Sequence, residues 1–205
     1  MDTGRRMFLA GLAGGAVAAA AGPAFGQAAR DIPFAIRVAA GAEMRALKPE
    51  TYDPSYVRIP YPMGDVADDR GVCADTVVRA FRHAGVDLQQ VVHEDMAANF
   101  AAYPRTWGLK RPDSNIDHRR VPNLETLFRR RGASLPISMT AADYRPGDIV
   151  SWRLTGTSVP HIGVVTRRSE AGEPLLAHNI GAGTQIERVL FNWKIAGWFR
   201  FERWA

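Results

Sequence analysis

One cysteine and five histidines carry the nucleophile and base chemistry available to this 205-residue chain near neutral pH. Cys73 lies in the run Gly71-Val72-Cys73-Ala74-Asp75-Thr76-Val77-Val78-Arg79-Ala80-Phe81. Ala74, Val77, Val78 and Phe81 recur at i, i+3, i+4, i+7, so the spacing predicts an amphipathic helix that opens at the cysteine and stops at Gly85. A thiol in a first helical turn faces unsatisfied backbone N–H groups and the positive end of the helix dipole, which favour thiolate. A small core residue is the bland alternative. An unpaired cysteine in an exported chain needs a stronger reason to exist, and Cys73 is read as a nucleophile.

A cysteine nucleophile needs a base and usually a third group that orients the base. His83 is ten residues along the same helix, about 15 Å away, and cannot serve. His93 sits at a helix start and reads as a capping or surface residue. His161 opens the strand His161-Ile162-Gly163-Val164-Val165, and His178 lies in the next, Leu175-Leu176-Ala177-His178-Asn179-Ile180. The link Arg167 to Glu173 makes these two a hairpin. If Gly163 lies opposite His178, the two histidines share a face; a slip by one residue puts Asn179 there instead. Either residue could orient an imidazole.

Export is read from residues 1–28. Arg5-Arg6 precede Met7-Phe8-Leu9, an uncharged Ala/Gly-rich stretch runs to about Ala21, and small residues at Ala24, Gly26 and Ala28 suit signal peptidase. This is a leader of the twin-arginine type, cleaved near residues 26–28 and leaving a periplasmic protein. An uncleaved anchor is the alternative, but the stretch is shorter than the roughly 20 residues of a span. Residues 29–205 then form a single domain, expected as a monomer with no later transmembrane segment.

The net charge of +5 comes from scattered arginine, with lysine only at Lys48, Lys110 and Lys194. Arg129-Arg130-Arg131 before Gly132 suits a helix end. No zinc spacing, phosphate-binding glycine loop or nucleic-acid motif is present, so no metal, cofactor or nucleic-acid partner is expected. A basic exterior suits an acidic envelope polymer.

The pattern is helical from Gly71 to Gly132 and stranded from Asp148 on. Helices are expected over Val38 to Leu47, from Cys73, over His93 to Tyr103 and from Pro122. Strands are expected over Asp148–Arg153, His161–Thr166, Pro174–Ile180, Thr184–Val189 and Gly197–Arg203, in an antiparallel meander. Residues 29 to about 60 otherwise read as an irregular lead-in. Helices first and about five strands second imply an α+β fold. The polar run Asn115-Ile116-Asp117-His118-Arg119-Arg120 could hold a carboxylate or an anionic head group, or form an internal ion-pair network. Asp75 could meet a substrate ammonium; a helix cap is favoured.

The order of these pieces resembles the NlpC/P60 cysteine peptidases. Gly147-Asp148-Ile149-Val150 is similar to that family's Gly-Asp-Leu-Val turn, and His161-Ile162-Gly163-Val164-Val165 and Leu175-Leu176-Ala177-His178 to its two histidine strands. The resemblance to the DUF1287 family is closer, over roughly residues 45 to 203. It rests on Tyr61-Pro62-Met63-Gly64-Asp65-Val66, Gly71-Val72-Cys73-Ala74-Asp75, Asn115 to Leu124 and His178-Asn179-Ile180-Gly181. The resemblance implies a papain-like domain hydrolysing amide bonds, typically in peptidoglycan stem peptides, with Cys73 as nucleophile, His161 as base and His178 as orienting group. The candidate substrate-binding residues are Tyr61, Asp75, Asp117, His118 and Arg119; the Asp117-His118-Arg119-Arg120 run has no obvious counterpart in the peptidases, whose tyrosine near the nucleophile would be Tyr61 or Tyr56. Val72-Cys73-Ala74 departs from the peptidases' Asp-Cys-Ser. A silent envelope-binding module, or a thiol acyltransferase or amidase on a non-wall substrate, are the alternatives.

Overall fold

The computed structural model describes residue 1 and residues 32–204; the expected leader, Met1 apart, lies outside the described residues. Helix α1, Phe34–Arg45, starts directly after Pro33, four residues earlier than its apolar periodicity predicts, and buries Phe34, Val38, Ala39 and Ala42. Helix α2 is Cys73–His83, with Ala74, Val77, Val78 and Phe81 buried. Helix α3, Leu88–Asn99, starts five residues before the expected His93, because the Asp87 carboxylate caps it by accepting from Gln89 N at 3.0 Å. Helix α4 is Val121–Arg130, with Pro122 in its first turn, and Gly132 just beyond it takes φ 69°.

The lead-in is not wholly irregular. Thr51–Tyr52 (β1) pairs in parallel with Arg70–Gly71 (β2), bringing the chain before α2 alongside it. The main sheet has five antiparallel strands: β3 Ile149–Arg153, β4 Pro160–Glu170, β5 Glu173–Asn179, β6 Thr184–Glu187 and β7 Lys194–Phe199. Their order is β6-β5-β4-β3-β7. It is therefore not a simple meander: after β6 the chain crosses back to pair β7 with β3. β7 starts three residues before the expected Gly197, since Lys194 and Ile195 extend the ladder past a register shift between Ser151 and Trp152.

The alternation of each strand divides the molecule into two cores. Ile149, Ile162, Val164, Ala177 and Phe199 pack on the helical side with Cys73, Phe81 and Phe128. Val150, Trp152, Val165, Leu176, Leu190, Ile195 and Trp198 fill the other side. A buried charge centre lies beside the helical core. The fully buried Glu50 meets Arg79 at 2.6 Å and Arg45 at 3.2 Å through one oxygen, and Asn179 and Thr184 through the other. Among the described residues no helix is long and apolar enough to cross a membrane.

Candidate active site

Cys73 is the first residue of α2, and α2 packs against β4 and β5. The N–H groups of Cys73 and Ala74 find no backbone acceptor among the described residues, as expected for a first helical turn. The residue is 6% exposed, its sulfur set against β4 at Ile162. Burial pushes the thiol up to about 12; the N–H of Ile162 opposes this and the Asp75 carboxylate adds to it. The helix N-terminus therefore does not hold a thiolate at rest, contrary to the sequence expectation, because desolvation outweighs it.

Gly163 pairs with His178 across β4 and β5, so His161 and His178 share a face. His161 Nε2 lies 2.9 Å from His178 Nδ1, both side chains buried. Gly163 makes room for this pair: a β-carbon there would come within 2.9 Å of the Ala177 carbonyl oxygen and 3.1 Å of His178 Cβ. His161 stacks on Trp152 at 5.6 Å and meets the edge of Trp193 at 5.6 Å. Trp152 is itself fixed by its indole N–H donating to the Leu190 carbonyl at 2.9 Å. Burial pushes His161 down to about 3, with the His178 imidazole adding to the effect. Burial also lowers His178, against the pull of Glu187.

Thiol and imidazole reach β4 from opposite faces. Cys73 sits with Ile162 in the helical core, while His161 stacks on Trp152 in the other. His161 is the second residue of β4, close to the strand's start. Among the described residues His161 bonds to His178 and no hydrogen bond joins it to Cys73. Asn179, the alternative third residue, points away from His161: its amide donates to Glu50 Oε2 at 3.1 Å and to the Gly71 carbonyl at 3.4 Å.

Of the residues expected to bind substrate, Asp75, Asp117 and Arg119 have internal hydrogen-bond partners. Asp75 accepts from Val72 N at 2.7 Å and from the Arg119 guanidinium at 2.9 and 3.0 Å. Arg119 also donates to the Ser55 and Asp53 carbonyls. Asp117 accepts from Asp113 N at 2.5 Å and Arg120 at 3.1 Å. His118 is buried with Nδ1 unpartnered, and burial pushes it down to about 4. The internal network is thus the reading the geometry supports for this run. Tyr61 lies edge-on to His93 at 5.0 Å. Tyr52, which the sequence did not single out, is near enough to the nucleophile for the charge of Cys73, with that of Asp75, to add to burial in raising its hydroxyl. Tyr52 was hidden in a two-residue strand with no periodicity to mark it.

Beside Val72 opens a cavity of about 360 Å³ lined by Tyr52, Tyr56, Trp107 and Arg120, the last stacked over Trp107 at 4.1 Å. A larger cavity of about 1000 Å³ shares Tyr56 with it and carries Arg58, Lys110 and Arg111. These three cations form no ion pair among the described residues, whereas Asp113 on the same wall is bonded to Tyr56 and Asn115.

Three comparisons bear on identity. A protein from Escherichia coli strain K12, the uncharacterized protein YijF, is 56% identical over 167 residues, 81% of either chain. The structure of NlpC1 from Trichomonas vaginalis is similar with a TM-score of 0.44 and 11% identity over 83% of this chain; the match spans 45% of that structure's length. The model of the DUF1287 family, a domain of unknown function, matches residues 39–201, and the chain belongs to that family.

Proposed function

We propose that this protein is an exported thiol hydrolase that cleaves amide bonds in peptidoglycan stem peptides, using Cys73, His161 and His178. The observation that carries the reading is the 2.9 Å pair of buried imidazoles beside a cysteine at the first position of a helix that abuts the same strand. The motif resemblance to NlpC/P60 peptidases supports it. In the reaction His161 takes the thiol proton and Cys73 Sγ bonds to the scissile carbonyl carbon, whose π pair moves to oxygen. The N–H groups of Cys73 and Ala74, which meet the sulfur before reaction, are the donors nearest that developing charge. Collapse breaks the C–N bond as His161 returns the proton to the leaving amine, and water then hydrolyses the thioester. The unpaired Arg58, Lys110 and Arg111 support an acidic substrate lying past Tyr56. Residence in the periplasm follows from the twin-arginine leader.

Incubating the mature protein with muropeptides and identifying products by mass spectrometry tests the proposal; new amine termini that vanish with Cys73→Ala support it. A second reading, an envelope-binding module without turnover, is favoured by the burial that pushes the thiol up to about 12. Muropeptide binding without cleavage, together with a thiol inert to iodoacetamide, would select it.

A further inference from the structure

His178 has a second neighbour that the sequence did not single out. Glu187 Oε2 on β6 lies 3.0 Å from His178 Nε2, close but without the alignment of a hydrogen bond. Register places Glu187 opposite Leu176, diagonal to His178, while Gln185 opposite His178 turns its amide to the Ala182 carbonyl. The charged and titratable groups against His178 are therefore His161 from β4 and Glu187 from β6; Trp193 meets its ring edge at 6.0 Å. Among the described residues Glu187 has no other ion-pair partner.

The geometry points to Glu187 as a positioning residue that fixes the tautomers of both histidines and so selects the atom of His161 that acts as base. This rests on the hydrolase reading above. A carboxylate oxygen at 3.0 Å repels a lone pair on His178 Nε2, so that nitrogen carries the proton. Nδ1 of His178 is then an acceptor, and the nitrogen facing it at 2.9 Å, His161 Nε2, must be the donor. One unprotonated position remains, His161 Nδ1. That is the atom left to take a proton from Cys73 at the strand end. When His161 becomes imidazolium, its Nε2–H stays directed at His178, whose far side faces the negative charge of Glu187. The half-exposed Glu187 acts through one intervening ring and touches neither thiol nor substrate.

The test is long-range ¹H–¹⁵N NMR of the imidazoles in full-length mature protein, wild type, Glu187→Gln and Glu187→Asp, alongside muropeptide kinetics against pH. Wild type should show both rings protonated at Nε2. Glu187→Gln, whose amide can donate or accept, should mix the tautomers and lower kcat about tenfold at unchanged KM. Its acid limb should move to lower pH, because a charge favouring imidazolium is gone; Glu187→Asp should restore both readouts. Nδ1–H on His161 in wild type, or an unchanged spectrum in Glu187→Gln, would overturn the assignment. The expected spectra in a protein that cleaves no muropeptide would keep the tautomer relay and remove the hydrolase reading instead.

Discussion

Asn179 donates to the buried carboxylate of Glu50 at 3.1 Å, and this bond holds Asn179 on the face of β5 opposite His178. The same carboxylate meets Arg79 of the nucleophile helix at 2.6 Å. One charge before α2 thus ties the helix bearing Cys73 to the strand bearing His178. It fixes which β5 residue can orient His161.

Glu50→Gln should therefore lower stability by about 3–5 kcal/mol, since Arg45 and Arg79 lose their buried counter-charge. Urea denaturation checks this. A loss below about 1 kcal/mol would show that Asp68 and Asp65, which also pair with Arg45 and Arg79, suffice as counter-charges.

The helix–strand division, the position of Cys73 and the hairpin register were legible because each rests on local periodicity. Cys73 opens a clean i, i+3, i+4, i+7 stripe, and residues 161 and 163 share a face whatever the fold. Glu50, Tyr52 and Glu187 were not legible. Glu50 and Tyr52 lie in a stretch without periodicity, and their importance comes from partners 29 and 129 residues away in Arg79 and Asn179, and from the thiol across β2. Glu187 matters only through a diagonal across β5 and β6. The thiolate expectation failed for a related reason: a helix N-terminus is visible in sequence, whereas the desolvation opposing it is a property of the packed core.

Asp75 and Arg119 should behave as structural residues. Asp75→Asn weakens the cap on Val72 N and leaves a buried guanidinium unpaired, at about 3 kcal/mol in chemical denaturation. KM for a cleaved muropeptide should change little at a temperature where the variant stays folded. A large rise in KM without loss of stability would return Asp75 to the substrate.

His118 sets an acid sensitivity. Burial, then Arg119, depresses its folded pKa from 6.5 to about 4, with Asp65 and Asp87 opposing and Arg82 adding. A depressed folded value means the neutral ring's contribution is complete above pH 6.5 and is lost as pH falls towards about 4. Over that window it can cost up to about 1.4 kcal/mol per pH unit. His161, down to about 3, continues the loss at lower pH. His118→Gln, read as unfolding free energy from pH 7 to 4, should flatten the curve relative to wild type. Parallel curves would mean His118 titrates normally.

The thiol and His161 should act as a unit. Cys73→Ala and His161→Ala should each reduce muropeptide cleavage by at least about a thousandfold, and the double variant should be no worse than either, because removing one partner already disables the other. His178→Ala should be milder, since it orients the base without touching the sulfur. Cys73 packs with Ile162 on the helical side of β4 and His161 stacks on Trp152 on the other, and no hydrogen bond joins them among the described residues. A peptide aldehyde, which captures a cysteine as a tetrahedral adduct, provides the direct check. A crystal structure of that adduct should bring Sγ within about 4 Å of His161 Nδ1 while the His161–His178 bond is kept. An adduct with His161 still stacked on Trp152 and out of reach of the sulfur would show that another group takes the thiol proton.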